Sequence, residues 1–370
     1  MSRLRKYLSA AFLVVATIFC AGTLCLRRGE ITENKRILRA EFVRDSIAQA
    51  HRPRRVRMVV AGDLMQHLPQ VNAARTAEGF DYAPCFEWVR PRFAEADLAV
   101  VNLETTLTPA PPYTGYPLFR SPRALARAMR EAGIDLAVMA NNHCADGGRK
   151  GVDHTIDALT EEGIAHTGVF RDSTDFLNHH PLLLERNGIR FAVVNYTYGT
   201  NGLPTPAGKI INLIDTLAIK RDIAEIDRRK VDCIIAALHW GIEYQRHPNA
   251  EQRAVAQLLR RAGVDLVLGS HPHVVQPFED DSTGIVLYSL GNFVSNQRQR
   301  YTDGGLVATI DITRHYDGRM AYALEITPVW VRHNGYRIIP PEIGDTLKMH
   351  PAERQAYETF MRDTRELLGI

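Results

Sequence analysis

Five apolar runs of the sequence end in side chains that could bind a cation. Asp63 follows the run at 55–62, and the next run closes with Asn102 and Glu104. The other three runs end in an Asn-Asn-His triplet, a single histidine and a His-Pro-His sequence: Asn141, Asn142 and His143, then His239, then His271 and His273. Carboxylate, amide and imidazole groups together suit a divalent ion such as zinc, manganese or iron. Such an ion lowers the pKa of bound water and makes hydroxide available near neutral pH.

Each of these side chains also has an ordinary structural explanation. Asp63 after Gly62 could cap a helix, Glu104 could pair with an arginine, and His239 beside Trp240 could be a core histidine. The Asn-Asn-His triplet and the His-Pro-His sequence are harder to explain in this way, because buried polar groups are costly unless they are fully hydrogen-bonded. Together, the five run ends favour one shared cation site.

Three nearby residues have two interpretations each. Asp146 could orient His143 or cap the turn that follows it. Glu243 lies close after His239 and could reach a substrate or make a turn contact. His67 could be a ligand or a helix surface residue.

The elements that must position these residues alternate between strand-like and helical patterns, which predicts an α/β fold. Strands are expected at 55–62, 96–104, 135–143, 189–198, 233–240, 265–273 and 284–293. Helices are expected at 123–132, 151–162, 216–229 and 250–262, and a surface helix at 352–368. In open α/β sheets ligands bind beyond the carboxyl ends of the strands, so the polar residues should meet there. Arg186-Asn187-Gly188, between two apolar runs, predicts a hairpin turn.

The N-terminal part of the chain predicts a membrane anchor. The segment Leu8–Leu26 contains no charged residue, and at about 1.5 Å per residue it is roughly 28 Å long, enough to cross a hydrocarbon core. A cleaved signal peptide is the alternative, but two arginines stand where cleavage is expected. We expect a cytoplasmic tip and anchor over 1–28, a stalk over 29–55, and a single pass of the inner (cytoplasmic) membrane with the globular domain outside the cytoplasm.

Charge argues against a nucleic-acid partner. The formal net charge is +3, and the basic excess lies beside the apolar segment in the first 57 residues. The remainder of the chain is therefore slightly acidic, whereas nucleic-acid binders usually present a basic face.

Six motifs together resemble the CapA family of poly-γ-glutamate capsule biosynthesis. They are AGDLM (61–65), NLETTLT (102–108), NNHCADGG (141–148), HWGIEY (239–244), GSHPHVVQP (269–277) and SLGNFV (289–294). CapA proteins are similar in turn to calcineurin-like metallophosphoesterases. The resemblance implies a four-layer α/β/β/α sandwich over 56–335, leaving 336–370 as a C-terminal extension that carries the surface helix.

The resemblance also implies roles for individual residues. One or two divalent ions (Mn, Zn or Fe) would be held by Asp63, Glu104, Asn142, His239, His271 and His273. His143 would donate a proton to the leaving group, with Asp146 beside it, and substrate contacts would come from Asn102, Asn141, Glu243 and Asn292. Two positions depart from the phosphoesterase pattern: Met65 stands where those enzymes have a histidine ligand, and Glu104 where they have a bridging aspartate.

Three functions follow from the resemblance as hypotheses. The first is a metal-dependent hydrolase or transferase in the synthesis or export of an anionic cell-surface polymer, with polymer ligase or export membrane proteins as partners. The second is a non-catalytic, membrane-anchored assembly subunit, which the missing histidine favours. The third is a metallophosphodiesterase acting on envelope phosphoesters.

Overall fold

A computed structural model of the protein describes residues 2–50, 52–281 and 283–370. The chain divides between Pro53 and Arg54 into two compact units. The N-terminal unit contains helix α1 (Ser2–Ala50), which runs without a break through the predicted anchor and ends within the predicted stalk. Among helices formed by the described residues, none is both long and apolar enough to cross a membrane.

The second unit contains all the other elements. Its helices are α2 (Leu68–Ala73), α3 (Ala83–Phe86), α4 (Arg90–Ala94), α5 (Ala124–Ala132), α6 (Gly148–Glu161), α7 (Ser173–His179), α8 (Thr216–Ala224), α9 (Ala250–Arg261), α10 (Pro341–Gly344) and α11 (Pro351–Leu368). Its strands are β1 (Arg54–Met65), β2 (Leu98–Glu104), β3 (Thr106–Thr108), β4 (Arg120–Pro122), β5 (Leu136–Val138), β6 (Ala165–Thr167), β7 (Val169–Phe170), β8 (Leu182–Arg186), β9 (Ile189–Thr197), β10 (Ile210–Ile211), β11 (Cys233–His239), β12 (Leu266–Ser270), β13 (Phe278–Asp281), β14 (Gly284–Leu287), β15 (Asn292–Val294), β16 (Gly304–Arg314), β17 (Met320–Val331) and β18 (Ile338–Ile339).

Two mixed sheets form the centre of this unit. The first has the order β18-β17-β16-β1-β2-β5-β6, with β15 also paired to β1. The second has the order β13-β14-β12-β11-β9-β8. Strands β1, β2, β5 and β6 are parallel in the first sheet, as are β9, β11, β12 and β14 in the second. The predicted α/β class is confirmed.

Alternation along the strands places the two sheets face to face. Met58 and Val60 of β1 belong to the same buried cluster as Ile235 of β11, whereas Val59 and Ala61 belong to a different one. That other cluster joins the first sheet to α5 and α6. A third cluster joins the second sheet to α8 and α9. Successive residues of a strand point to opposite faces of its sheet, so each sheet has one face towards the other sheet and one towards helices. The layers therefore run helix, sheet, sheet, helix.

The predicted strand at 284–293 is wrong, since two strands occupy it. β14 ends at Leu287 in the second sheet, and β15 begins at Asn292 beside β1 in the first. The chain crosses between the sheets at Gly291, whose φ of +67° is a left-handed conformation that suits glycine. The helix predicted over 216–229 ends earlier, at Ala224.

The C-terminal segment packs against the edge of the first sheet. Tyr357, Phe360 and Met361 on one face of α11 form a small core with Trp330 and Ile339. Helix α11 covers the range 352–368 in which a helix was expected, and one of its faces is buried. Arg54–Ile370 is one compact unit, and the division of this unit at 335/336 stays a prediction.

Candidate metal centre

The carboxyl ends of four strands meet at one place, two strands from each sheet. Asp63 lies near the end of β1 and Glu104 ends β2 in the first sheet. His239 ends β11 in the second sheet, and His271 directly follows β12. These side chains are all buried. The prediction that they converge agrees with the structure.

Gly62 allows Asp63 to reach this position. A Cβ atom on Gly62 would lie 2.0 Å from the carbonyl oxygen of Gly291. The next amide, that of Asp63, donates to the same oxygen at 2.9 Å. The Gly-Asp pair therefore marks a close approach of two backbone segments, which only glycine permits.

A buried group of carboxylates and imidazoles forms the site. Asp63 Oδ1 accepts from Asn102 Nδ2 at 2.8 Å, and Asp63 Oδ2 lies 2.9 Å from His273 Nδ1. Glu104 Oε1 lies 3.6 Å from His239 Nε2 and 3.8 Å from His273 Nε2, both beyond hydrogen-bond distance. Ligand atoms lie within 4.8 Å of one another in two overlapping sets: Glu104 with His271 and His273, and Asp63 with Glu104 and His239.

Glu104 is held in an unfavourable environment for a charged carboxylate. Burial raises its pKa well above the ordinary value, and the negative charges of Asp63, Glu243 and Asp146 raise it further. Within the described residues, neither Glu104 nor Asp63 forms an ion pair with a lysine or arginine. Positive charge for these carboxylates must come from a bound cation or from protons.

Burial favours the neutral form of His239 and His271, and the backbones of His271 and His273 are strained. Burial lowers the pKa of His239 well below its ordinary value, with the His271 charge adding to the effect. Burial likewise lowers the pKa of His271 to about 3. Neutral imidazole leaves one ring nitrogen as an acceptor for a metal ion. His271 and His273 have φ values of +100° and +58°, a strain that is typically found at functional sites.

Two buried atoms at the centre have no hydrogen-bond partner among the described residues. They are Glu104 Oε1 and His271 Nδ1. Unpaired buried polar atoms are rare in folded proteins and cost about 1–3 kcal/mol each. A carboxylate oxygen and an imidazole nitrogen both ligate zinc, manganese and iron. The residues present therefore fit a divalent cation.

His143 and Asp146 form a pair beside the cluster. His143 Nδ1 lies 2.7 Å from Asp146 Oδ2, which also accepts from the Phe119 amide at 2.6 Å. The Phe119 ring contacts the His143 ring edge to face at 4.5 Å. Asp146 faces Nδ1 of His143, so Nε2 is the ring nitrogen directed away from that carboxylate. Asp146 was expected either to orient His143 or to cap the turn that follows it, and in the structure its carboxylate contacts the His143 ring.

Three asparagines connect the pair to the cluster. Asn142 Oδ1 lies 2.8 Å from His239 Nε2, and Asn102 Nδ2 lies 3.3 Å from His239 Nδ1. Asn141 Nδ2 donates to the Leu103 carbonyl at 2.8 Å, and its Oδ1 accepts from the His143 amide. Asn141 therefore ties the triplet to the end of β2, while Asn142 faces the histidines.

The family described as bacterial capsule synthesis protein PGA_cap matches residues 57–297. The chain belongs to this family. The "Capsule biosynthesis protein CapA" of Bacillus anthracis is 35% identical over 49% of this chain and 45% of its own length. The "PGA biosynthesis protein CapA" of Bacillus subtilis is 25% identical over 72% of this chain and 70% of its own. The chain thus spans less than half of the first relative, and the predicted resemblance to CapA is confirmed.

Two solved structures are similar at lower identity. A phosphatase from Mycoplasma pneumoniae is 14% identical, with a TM-score of 0.44, over 74% of this chain and 94% of its own. A purple acid phosphatase from yellow lupin is 11% identical, with a TM-score of 0.30, over 74% of this chain and 53% of its own.

Two predicted substrate residues of this PGA_cap chain lie outside the cluster. Glu243 is exposed and acts on Glu104 only through its charge. Asn292 is buried next to Asp63 in the sheet, where its Nδ2 donates to the Thr302 carbonyl at 2.7 Å. Its Oδ1 has no hydrogen-bond partner within the part of the chain that the structure describes. His67 is half-buried and meets Phe119 at 5.0 Å rather than joining the cluster.

The sequence prediction missed three residues of the PGA_cap site. Phe119 orients Asp146 and His143, as described above. Tyr198 packs on the His271 ring at 4.5 Å, and its hydroxyl donates to Asn201. Tyr198 and Asn201, the second and third of these residues, could have been found by looking for polar side chains after a strand. Strand β9 is also parallel and is followed by Tyr198-Gly-Thr-Asn201.

Proposed function

We propose that this PGA_cap protein is a metal-dependent hydrolase or transferase that acts in the synthesis or export of poly-γ-glutamate or a related anionic capsule polymer. Support for the process comes from the family description and from the names of the Bacillus relatives. Support for the chemistry comes from a single feature, the buried pair of unpartnered ligand atoms, Glu104 Oε1 and His271 Nδ1.

The cation would be held by the six predicted ligands. Asp63 and Glu104 supply carboxylates, Asn142 supplies its carbonyl oxygen, and the imidazoles come from His239, His271 and His273. This donor set suits one or two ions of zinc, manganese or iron. When bound, the ion would polarise an amide or phosphoester oxygen of the substrate.

His143 would supply the proton for the leaving group from Nε2. Its ring is fixed by Asp146 at Nδ1 and by the Phe119 ring. Because the Asp146 carboxylate is itself fixed by the Phe119 amide, the imidazole keeps one orientation. Asn102, Asn141, Glu243 and Asn292 are proposed to contact or frame the substrate.

Metal analysis of the purified full chain tests this function. After growth with zinc, manganese and iron, the chain should retain close to one or two equivalents of metal. The double variant Glu104→Gln, His271→Ala should retain only traces, whereas His315→Ala in the β16–β17 turn should match the unsubstituted chain. Trace metal in the unsubstituted chain would rule out the catalytic proposal.

A non-catalytic assembly subunit is the second candidate, and Met65 favours it. Met65 is 2% exposed at a position where the resemblance places a histidine ligand, so the site has one donor fewer. The variant His143→Ala separates the two functions. Loss of polymer from cells carrying this variant supports the enzyme, and unchanged polymer supports the subunit.

We also propose that residues 8–26 anchor the chain in the cytoplasmic membrane with the globular unit outside the cytoplasm. The apolar character of that segment supports this. Polymer ligase or export membrane proteins would then be partners. Protease added to cells stripped of any outer barrier should digest the globular unit, and protection would contradict the orientation.

A further inference from the structure

The loop after β9 places an asparagine against both Asn142 and His143. Asn201 Oδ1 accepts from Asn142 Nδ2 at 3.2 Å and from the Tyr198 hydroxyl at 3.2 Å. Asn201 Nδ2 lies 3.5 Å from His143 Nε2. Three polar groups around the site therefore converge on one exposed carboxamide.

The loop backbone is shaped to present this side chain. Asn201 has a φ of +53°, a left-handed conformation that asparagine tolerates better than most residues. Thr200 Oγ1 donates to the Leu203 carbonyl at 2.5 Å, and the Leu203 amide donates back to the Thr200 carbonyl at 2.9 Å. The turn is closed on both sides of Asn201, which limits the positions open to its side chain.

A row of side-chain contacts leads from the cluster to this loop. Asn102 Nδ2 lies 3.3 Å from His239 Nδ1. The opposite ring nitrogen, Nε2, lies 2.8 Å from Asn142 Oδ1, and Asn142 Nδ2 donates to Asn201 Oδ1. Asn142 therefore has its oxygen towards the histidines and its amino group towards Asn201.

The orientation of Asn142 matters because only one end of a carboxamide binds cations. The carbonyl oxygen is a ligand, while the amino group is a donor with no lone pair for a metal. An Asn142 side chain rotated by half a turn would direct N–H groups at the proposed cation. Asn201 Oδ1 opposes that rotation, because it holds the amino group on the far side.

We propose that Asn201 is a positioning residue that fixes the Asn142 oxygen towards the cluster and so sets the affinity of the site for its cation. Tyr198 supports it from the other side by donating to the same oxygen, and it covers His239 and His271 with its ring. The proposal rests on the cation site described under the proposed function. Partners that orient metal ligands change affinity by about 10–100-fold when removed.

The test compares two asparagines at opposite ends of β9. Asn201→Gly removes the carboxamide but keeps the left-handed backbone accessible. Asn187→Gly is the matched control, since Asn187 is exposed, has a φ of +49°, and donates through its side chain to the Arg55 carbonyl at 3.1 Å, away from the cluster. Affinities of the full chain for manganese and zinc are measured by competition with a chelating dye, and unfolding temperatures are measured in excess chelator.

Asn201→Gly should lower cation affinity about 10–100-fold, with an unfolding temperature in chelator close to that of Asn187→Gly. Asn187→Gly should bind like the unsubstituted chain. Asn201→Asp, which keeps an acceptor for Asn142, should restore binding. Unchanged affinity in Asn201→Gly, or no restoration by Asn201→Asp, overturns the inference. If the unsubstituted chain binds no cation, the proposed function itself fails. If the unsubstituted chain binds a cation and Asn201→Gly binds it equally well, only the positioning role of Asn201 fails.

Discussion

The two ends of the parallel strands use the same kinds of polar residue for opposite purposes. An aspartate stands just before each of four strands, at Asp97, Asp135, Asp232 and Asp265. Each accepts a backbone amide from the neighbouring strand, at distances of 2.7 to 2.9 Å. At the other ends, Glu104 Oε1 and His271 Nδ1 lack a hydrogen-bond partner within the described ranges. Strand starts therefore satisfy the backbone, and strand ends are left incomplete.

Strand β11 shows both situations within a few residues. At its start, Asp232 Oδ1 lies 2.8 Å from Arg190 Nη2 and 3.0 Å from Arg314 Nε. Burial alone raises the pKa of Asp232, but its bonds with Arg190 outweigh burial and lower the pKa to about 2. At its end, His239 faces Glu104, whose pKa is raised. Burial of a charged carboxylate is therefore tolerated at the start of β11, where the chain supplies the opposite charge, and is unfavourable at its end.

Glu104→Gln should produce the largest effect, because it acts on the incomplete end. Cation affinity should fall by more than the roughly 100-fold expected for an orienting partner. In chelator, the same variant should be more stable than the unsubstituted chain by about 1–3 kcal/mol, since an unpaired buried carboxylate is removed. Dye competition and urea unfolding with and without chelator measure the two effects. If Glu104→Gln binds metal as tightly as the unsubstituted chain, the strand ends do not depend on a cation and do not differ from the strand starts in this way.

Asp232→Asn should have a smaller effect, and it should lower the stability of the protein rather than its cation affinity. Its loss leaves Arg190 and Arg314 without their shared partner, but both arginines are partly exposed to water. We therefore expect a loss of about 1–2 kcal/mol in the free energy of unfolding, with cation affinity unchanged. Urea unfolding and dye competition check this, with Asp317→Asn in the exposed β16–β17 turn as the control. A change in cation affinity would show that the two ends are coupled.

The acid dependence of the same pair should give the smallest effect. A carboxyl group whose folded pKa is lowered stabilises the protein above its unfolded pKa of about 3.9. That contribution is lost as the pH falls through the folded pKa of about 2. The difference in unfolding free energy between Asp232→Asn and the unsubstituted chain should be constant from pH 7 to about 5. It should then shrink below about 3.9, and a constant difference down to pH 2 would contradict the pairing.

Much of the fold follows from local pattern. The apolar runs predicted the parallel strands, and the Asn187-Gly188 turn predicted the β8–β9 hairpin, because both residues adopt the positive φ values that such turns require. The run at 284–293 was wrong for a physical reason. An apolar segment cannot reveal that its two halves belong to different sheets, since both environments are equally buried.

The residue types of the site could be predicted from the sequence, but the hydrogen bonds between its side chains could not. Asp63, Glu104, His239, His271 and His273 were predicted from their places after apolar runs, and the fold brings them together. The sequence left the role of Asp146 open, and it gave Asn201 no special weight. Those assignments depend on loop conformations and on which side-chain atoms end within hydrogen-bond distance.

Local sequence pattern was enough to predict which residues lie at the strand ends and that those ends are rich in ligand atoms. Strand periodicity and strand-end position are local properties, so they can be read from neighbouring residues. The contact of Asp63 with His273, 210 positions apart, and the contact of Asn201 with Asn142 depend on the complete fold. Those contacts arise from the order of strands in two sheets and from the packing between them, which no short stretch of sequence contains.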